Sequence, residues 1–295
     1  MPGVQTDVYV AIEEAAKRLY IEALKTIPPE VQTALKRARE RETHPNGQEV
    51  LDIILKNIAV SAEREMLVCQ DTGTVIYWLE VGEDSPLNLT EVTRRLRVGT
   101  ERATKEHPLR PNAVHTVTRE NTFTNTGRHL PVMHYDFVPG DSLKMTCLPK
   151  GSGSENQSFM KMFTPAQGIK AVKEFVLQCV VDAGANPCPP TIIGVGLGGT
   201  SDLVTSLAKK AIFRSIDVRS DDPVMRELEA ELLETANALG IGPMGLGGDT
   251  TALAVNIEHA HTHITQNPVA VNFQCWAARR RSATVSAAGD IEIGF

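Results

Sequence analysis

Apolar residues recur at three- and four-residue spacing through Asp7–Lys25, Pro29–Arg41 and Gln48–Glu65, which predicts three helices in one packed layer over the first third of the chain. The pattern changes after Cys69. Val75–Val81 (VIYWLEV) is β-branched and aromatic and predicts a strand, and Leu89–Glu106 returns to helical spacing with many charges. Leu130–Leu148 reads as two strands around a Pro-Gly-Asp turn, an antiparallel hairpin by its turn chemistry. Pro165–Ala183 predicts a helix, then come a short apolar strand Thr191–Val195, a Gly-rich turn and a helix Ser201–Phe213, an order that suggests a partly parallel sheet. The fold class expected is therefore α/β: a helical N-terminal segment over residues 1–68 and a mixed-sheet body over 69–295, or one continuous domain.

With 295 residues, 42% of them hydrophobic, the chain can bury a sizeable core. A formal net charge of −6 argues against a nucleic-acid partner. No apolar run approaches the roughly 20 residues needed to cross a bilayer, and MPGVQTDVYV lacks the zones of a signal peptide, so a cytoplasmic protein with no membrane partner is expected. Five scattered cysteines are too few for a disulfide scaffold, and in a reducing compartment they stay thiols able to bind metal.

Cys69, Cys188 and Cys275 stand at element junctions: before QDTGT, within ANPCPP ahead of an apolar strand, and at the close of the strand Val269–Phe273. Their wide spacing matches neither a zinc knuckle nor a ferredoxin motif, so spacing alone gives only a weak metal signal. Cys147, in a strand, and Cys179, in a helix among Val176, Leu177, Val180 and Val181, are assigned to packing.

VCQDTGT, LRPNAV, NTG, KGSGSEN, NPCPPTIIGVG, GIGPMGLGG and NFQCWAARR, in that order over about residues 50–285, resemble the α-type iron-sulfur hydro-lyases, which include class I fumarases and tartrate dehydratases. The resemblance implies a 4Fe-4S cluster held by Cys69, Cys188 and Cys275. Three thiolates on four irons leave one iron open as a Lewis acid toward a substrate hydroxyl, while a base removes a proton from the neighbouring carbon. It further implies that Asp71, beside Gln70, lies in the active site, that Arg110 binds substrate, and that His263 hydrogen-bonds substrate or takes part in acid/base chemistry. Gln70 follows the first cysteine closely enough to reach a ligand on the open iron.

The plain readings weigh against these. Asp-Thr-Gly is a common turn, Arg110 could be a solvated helix-end charge, and the run Arg279–Arg281 reads by default as surface charge. Gly151 and Gly153 let backbone N–H groups approach a carboxylate closely, and Lys150 and Glu155 are left structural. His259, His261 and His263 alternate as on one strand face; a three-histidine zinc site is conceivable but shows no second shell.

Gly194, Gly196 and Gly199 satisfy G-x-G-x-x-G after a strand, with Asp217 following, the mark of an NAD-dependent oxidoreductase; close packing near Cys188 is the preferred account of these glycines. A non-catalytic assembly subunit is the third reading. KGSGSEN and NTG favour fumarate/L-malate interconversion over L-tartrate dehydration. Single-chain class I fumarases carry a second domain that supplies the base, and few residues follow Cys275, so a separate β subunit and an α2β2-type or dimeric assembly are expected.

Overall fold

Two separate β-sheets, each with its own helices, organise the chain in a computed structural model that describes residues 3–295, with side chains from Val8 onward. Met1 and Pro2 of the segment 1–68 lie outside the described residues. In chain order the elements are α1 (Gly3–Lys25), α2 (Pro29–Arg41), α3 (Pro45–Glu63), β1 (Thr74–Gly82), α4 (Leu89–Glu106), β2 (Val132–Val138), β3 (Leu143–Lys150) and α5 (Ser152–Glu155). They continue with β4 (Ser158–Phe163), α6 (Gly168–Ala183), β5 (Thr191–Leu197), α7 (Ser201–Phe213), α8 (Pro223–Ala238), β6 (Ala252–His259), β7 (Asn267–Gln274), β8 (Arg281–Val285) and β9 (Ile291–Gly294). The fold is α/β, N-terminal helices followed by mixed sheets with helices, as the periodicity predicts.

Among the described residues, the first compact unit comprises 3–28, 60–151 and 279–295. Its sheet runs β2-β1-β3-β8-β9. Val75, Tyr77, Leu79 and Val81 point from one face of β1 into a core shared with Ile12, Leu19 and Leu24 of α1 and Val92 and Leu96 of α4. Alternation of side chains along the strand and the three-four repeat on both helices are what make that face continuous. The helices meet closely at Gly99, where a Cβ would come within 2.4 Å of the Glu13 carbonyl oxygen.

Leu130–Leu148 is not a hairpin. β1 lies between β2 and β3, parallel to the former and antiparallel to the latter. The Pro-Gly-Asp turn instead straps the end of β1: the Gly82 N–H donates to Ser142 (2.8 Å) and the Asp84 N–H to Gly140 (2.9 Å). The turn chemistry is as read, but turn residues fix a local reversal and do not decide which strand fills the gap.

The second unit comprises residues 29–59 and 152–278, with sheet order β4-β7-β5-β6. β5 is parallel to β6 and antiparallel to β7. Both faces of β5 are covered, which is why its sequence is continuously apolar. Ile193, Val195 and Leu197 join a core with Val172, Val176 and Val180 of α6 and Leu228 and Leu232 of α8. On the other face lie Gly194 and Gly196, where a Cβ would sit 2.4 Å from the Ala208 carbonyl oxygen and 2.1 Å from that of Val204, both in α7. These glycines are inside the strand and serve helix–strand approach; they do not form a phosphate-binding turn.

Candidate active site

In the first unit the segment Cys69–Gly73 forms a turn closed by the Gly73 N–H donating to Asp71 Oδ1 at 2.9 Å. Gly73 is at φ +74°, and a Cβ there would fall 2.7 Å from the carbonyl carbon of Pro149, so only glycine lets the turn lie against the end of β3. That contact brings two of the sequence candidates together. A Cβ on Gly151 would be 3.3 Å from Asp71 Oδ2 and 3.1 Å from Arg279 Nη2.

Arg279 is 1% exposed, and its Nη1 donates to the Asp71 carbonyl. The expectation of surface charge for Arg279–Arg281 is thus wrong for Arg279, and Arg281 stacks 3.8 Å over Phe295 and pairs with Glu22 at 3.3 Å. Sequence reasoning missed Arg279 because three adjacent arginines look solvated; its spacing of four from Cys275 was the one available signal.

Arg110 is exposed beyond the end of α4, but its backbone is not loose: its carbonyl accepts Thr72 Oγ1 at 2.6 Å and Asn125 Nδ2 at 3.0 Å. Thr72 follows Asp71, so Asp71, Arg110 and Gly151 share one neighbourhood. Gln70 is exposed and Cys69 half-buried at the start of the same turn.

In the second unit, Cys188 and Cys275 leave the sheet at the same end, since β5 and β7 pair antiparallel from Ile192 and Gln274. Cys188 is at φ +56°, its N–H donates to the Ala185 carbonyl (3.0 Å), and its own carbonyl accepts the Trp276 N–H (3.1 Å). The GIGPMGLGG segment buttresses this loop: the Met244 N–H donates to Pro189 (2.8 Å), and a Cβ on Gly245 would meet Ala185 Cβ at 2.4 Å. Gly153, exposed in the four-residue α5, lies near the same loop, a Cβ there coming 3.0 Å from the Asn186 carbonyl oxygen.

His263 is elsewhere in this unit. β6 ends at His259, so His261 and His263 belong to the β6–β7 loop and do not share a strand face. The Nδ1 of His263 is 2.9 Å from Thr265 Oγ1 and accepts the Thr265 N–H at 3.2 Å, and no hydrogen bond joins it to Cys188, Cys275 or Gly153 among the described residues.

The cysteines divide by environment. Burial pushes the Cys147 thiol well up and that of Cys179 up to about 12, which makes both poor thiolates, as packing residues should be. Cys69, Cys188 and Cys275 are half-buried. Next to Cys275, the Gln274 amide is 1% exposed, and neither its nitrogen nor its oxygen has a partner in the structure. Burying an unpaired amide is costly unless a bound group or water supplies the partners. Among the described residues no three His, Cys, Asp or Glu side chains form a ready-made ion site. Thiols are the donor type an iron-sulfur cluster takes, and within the second unit Cys188 and Cys275 are brought together by the bond from the Trp276 N–H to the Cys188 carbonyl.

No helix among the described residues is long and apolar enough to cross a membrane. A profile of the family described as "Fumarate hydratase (Fumerase)" matches residues 13–284. The chain is 42% identical over 272 residues to a Methanocaldococcus jannaschii protein named "Putative L(+)-tartrate dehydratase subunit alpha", covering 91% of this chain and 95% of that one. It is 35% identical over 262 residues to the L(+)-tartrate dehydratase subunit alpha of Escherichia coli, covering 88% of this chain and 86% of that one. The corresponding Shigella sonnei subunit is 34% identical over 262 residues, again 88% of this chain and 86% of that one.

Proposed function

The chain belongs to the fumarate hydratase (Fumerase) family, and on that premise we propose that it is the α subunit of an iron-sulfur hydro-lyase that dehydrates L(+)-tartrate together with a β subunit. The observation that carries the substrate is the name borne by the relatives, tartrate dehydratase subunit alpha, over about nine-tenths of the chain. The same names support a β partner. Class I fumarate hydratase, interconverting fumarate and L-malate, is the second reading, favoured by the description of the family. KGSGSEN and NTG favour that reading by resemblance, but neither segment is tied to the second hydroxyl by which tartrate differs from malate.

In this reading Cys69, Cys188 and Cys275 hold a 4Fe-4S cluster, which when bound supplies an open Lewis-acid position toward the departing hydroxyl. The chain's own residues do the rest of this half of the site. Arg110 binds a substrate carboxylate through its planar fork, for which an ammonium is a poor substitute. Gln70 offers an amide to the substrate, and the backbone around Gly151 and Gly153 comes near a carboxylate without side-chain obstruction. Asp71 holds or passes a proton at its carboxylate. Arg279 donates to the Asp71 backbone carbonyl and the Gly73 N–H to Asp71 Oδ1, which hold the carboxylate in the Cys69 turn. His263 is given no part in this reading, because its loop is tied to Gly199, at the opposite end of the β5–β7 pair from Cys188 and Cys275.

The test is kinetic, on the anaerobically assembled α/β complex. L(+)-tartrate should exceed L-malate in kcat/KM by on the order of 100-fold or more, because a site built to pair a hydroxyl discriminates strongly against its absence. A preference for L-malate and fumarate would replace the tartrate reading by the second one. Turnover of none of them would overturn both.

A further inference from the structure

The NTG segment, Asn125-Thr126-Gly127, belongs to the family resemblance, yet its side chains carry none of the chemistry above. Asn125 is 4% exposed and stands in left-handed backbone, φ +54°. Asparagine tolerates that conformation better than most residues. Its amide uses both ends. Oδ1 accepts the Asn112 N–H at 2.6 Å, and Nδ2 donates to the Arg110 carbonyl at 3.0 Å and to Thr104 Oγ1, in α4, at 3.3 Å.

A second polar side chain grips the same carbonyl. Thr72 is fully buried; its Oγ1 donates to the Arg110 carbonyl at 2.6 Å and accepts Asn112 Nδ2 at 2.6 Å. The Thr72 carbonyl in turn accepts the Tyr20 hydroxyl at 3.1 Å. Arg110 therefore has a backbone held from two sides while its side chain is exposed. Thr72 is contiguous with Asp71, so the bracket also sets the origin of the Arg110 side chain relative to that carboxylate.

We propose that Asn125 is a positioning residue for Arg110: by bridging the Asn112 amide, the Arg110 carbonyl and Thr104, it places the guanidinium where it grips a substrate carboxylate. This rests on the reading of Arg110 as a carboxylate-binding residue. The physical case is one of preorganisation. A long flexible side chain loses much rotamer freedom on binding, and the part that can be fixed beforehand is its backbone; a displacement of about an ångström there weakens a forked contact sharply. Only an amide supplies both the acceptor and the donors this bracket needs. Aspartate would set an oxygen against the Arg110 carbonyl, and an apolar residue would leave that carbonyl and the Asn112 N–H each short of a partner.

The experiment compares Asn125→Asp, Asn125→Gly and Arg110→Lys in the α/β complex, using whichever of L(+)-tartrate and L-malate is the better substrate. Aspartate keeps the acceptor and the left-handed tolerance; glycine keeps the backbone and deletes the bracket. Both Asn125 variants should raise KM on the order of tenfold, the loss of one buried bonding arrangement, with kcat within about twofold and iron content unchanged. Added to Arg110→Lys, Asn125→Gly should raise KM little further, since both act on one contact. If Arg110→Lys raises KM but neither folded Asn125 variant does, the positioning role is wrong while the reading of Arg110 stands. Full additivity, or a fall in kcat without a rise in KM, also overturns it. An unchanged KM for Arg110→Lys removes the premise, and the inference goes with it.

Discussion

At the scale of single residues, burial sorts the five cysteines more sharply than sequence does. Cys147 and Cys179 are enclosed thiols with raised pKa, and Cys69, Cys188 and Cys275 are half-buried. Serine at any of Cys69, Cys188 or Cys275 should abolish stable cluster incorporation, while Cys147→Ala and Cys179→Ala retain it. Iron and sulfide analysis of the five variants checks this, and normal iron in any of the first three removes that residue from the ligand set. Arg279 makes a different claim. Its guanidinium is enclosed and donates to the Asp71 carbonyl, so Arg279→Met should cost on the order of 3 kcal/mol of stability and lower kcat, whereas a surface arginine would cost almost nothing. Denaturant unfolding and turnover of the variant measure the two effects.

At the scale of elements, close approach and charge decide what the amphipathic pattern leaves open. Gly99→Ala should push α4 off α1, because the new Cβ would lie 2.4 Å from the Glu13 carbonyl oxygen and 2.7 Å from Ala16 Cβ, and overpacking of this kind costs about 1–3 kcal/mol. A thermal midpoint equal to wild type would contradict that packing. The same helix pair is laced by ions: Glu106 meets Arg102 at 2.9 Å and Lys17, and these cations hold its carboxyl down to about 2. A carboxyl depressed in the folded state adds stability above its unfolded value of about 4.3 and loses it as pH falls toward the folded value. The gap in midpoint between wild type and Glu106→Gln should therefore be open above about pH 5 and close toward pH 2, and high salt should narrow it, since the pair is partly exposed.

At the scale of the whole molecule, each compact unit is assembled from separated stretches of chain. The first draws on α1, the stretch from the end of α3 to β3, and the two C-terminal strands, and the second takes α2 and most of α3 with everything from α5 to β7. Under the proposed reading, with the base expected from the β subunit, the chain should hold a cluster by itself and turn over at less than about one-hundredth of the rate of the α/β complex, the scale of a missing general base. Anaerobic purification with iron analysis, followed by mixing with the β subunit, reads both quantities. Ordinary turnover by the cluster-loaded chain alone would remove the need for the partner.

Sequence by itself determined the elements that rest on local interactions. α4 and α7 run over the residues their periodicity predicts, β1 and β7 differ from prediction by a residue or two at each end, and the order strand–turn–helix around β5 foretold a partly parallel sheet. The ordered motifs likewise gave the family that the match over residues 13–284 shows. Tertiary structure alone decided the pairings between distant segments. β1 slides between β2 and β3 because its own apolar face must join the α1–α4 core, and no turn sequence encodes that choice. Arg279 is enclosed beside Asp71, and Asn125 under Arg110, because β8 and the loop before β2 return to the Cys69 turn from far along the chain. Local sequence fixes what a residue can offer; only long-range packing fixes the partner to which it is offered.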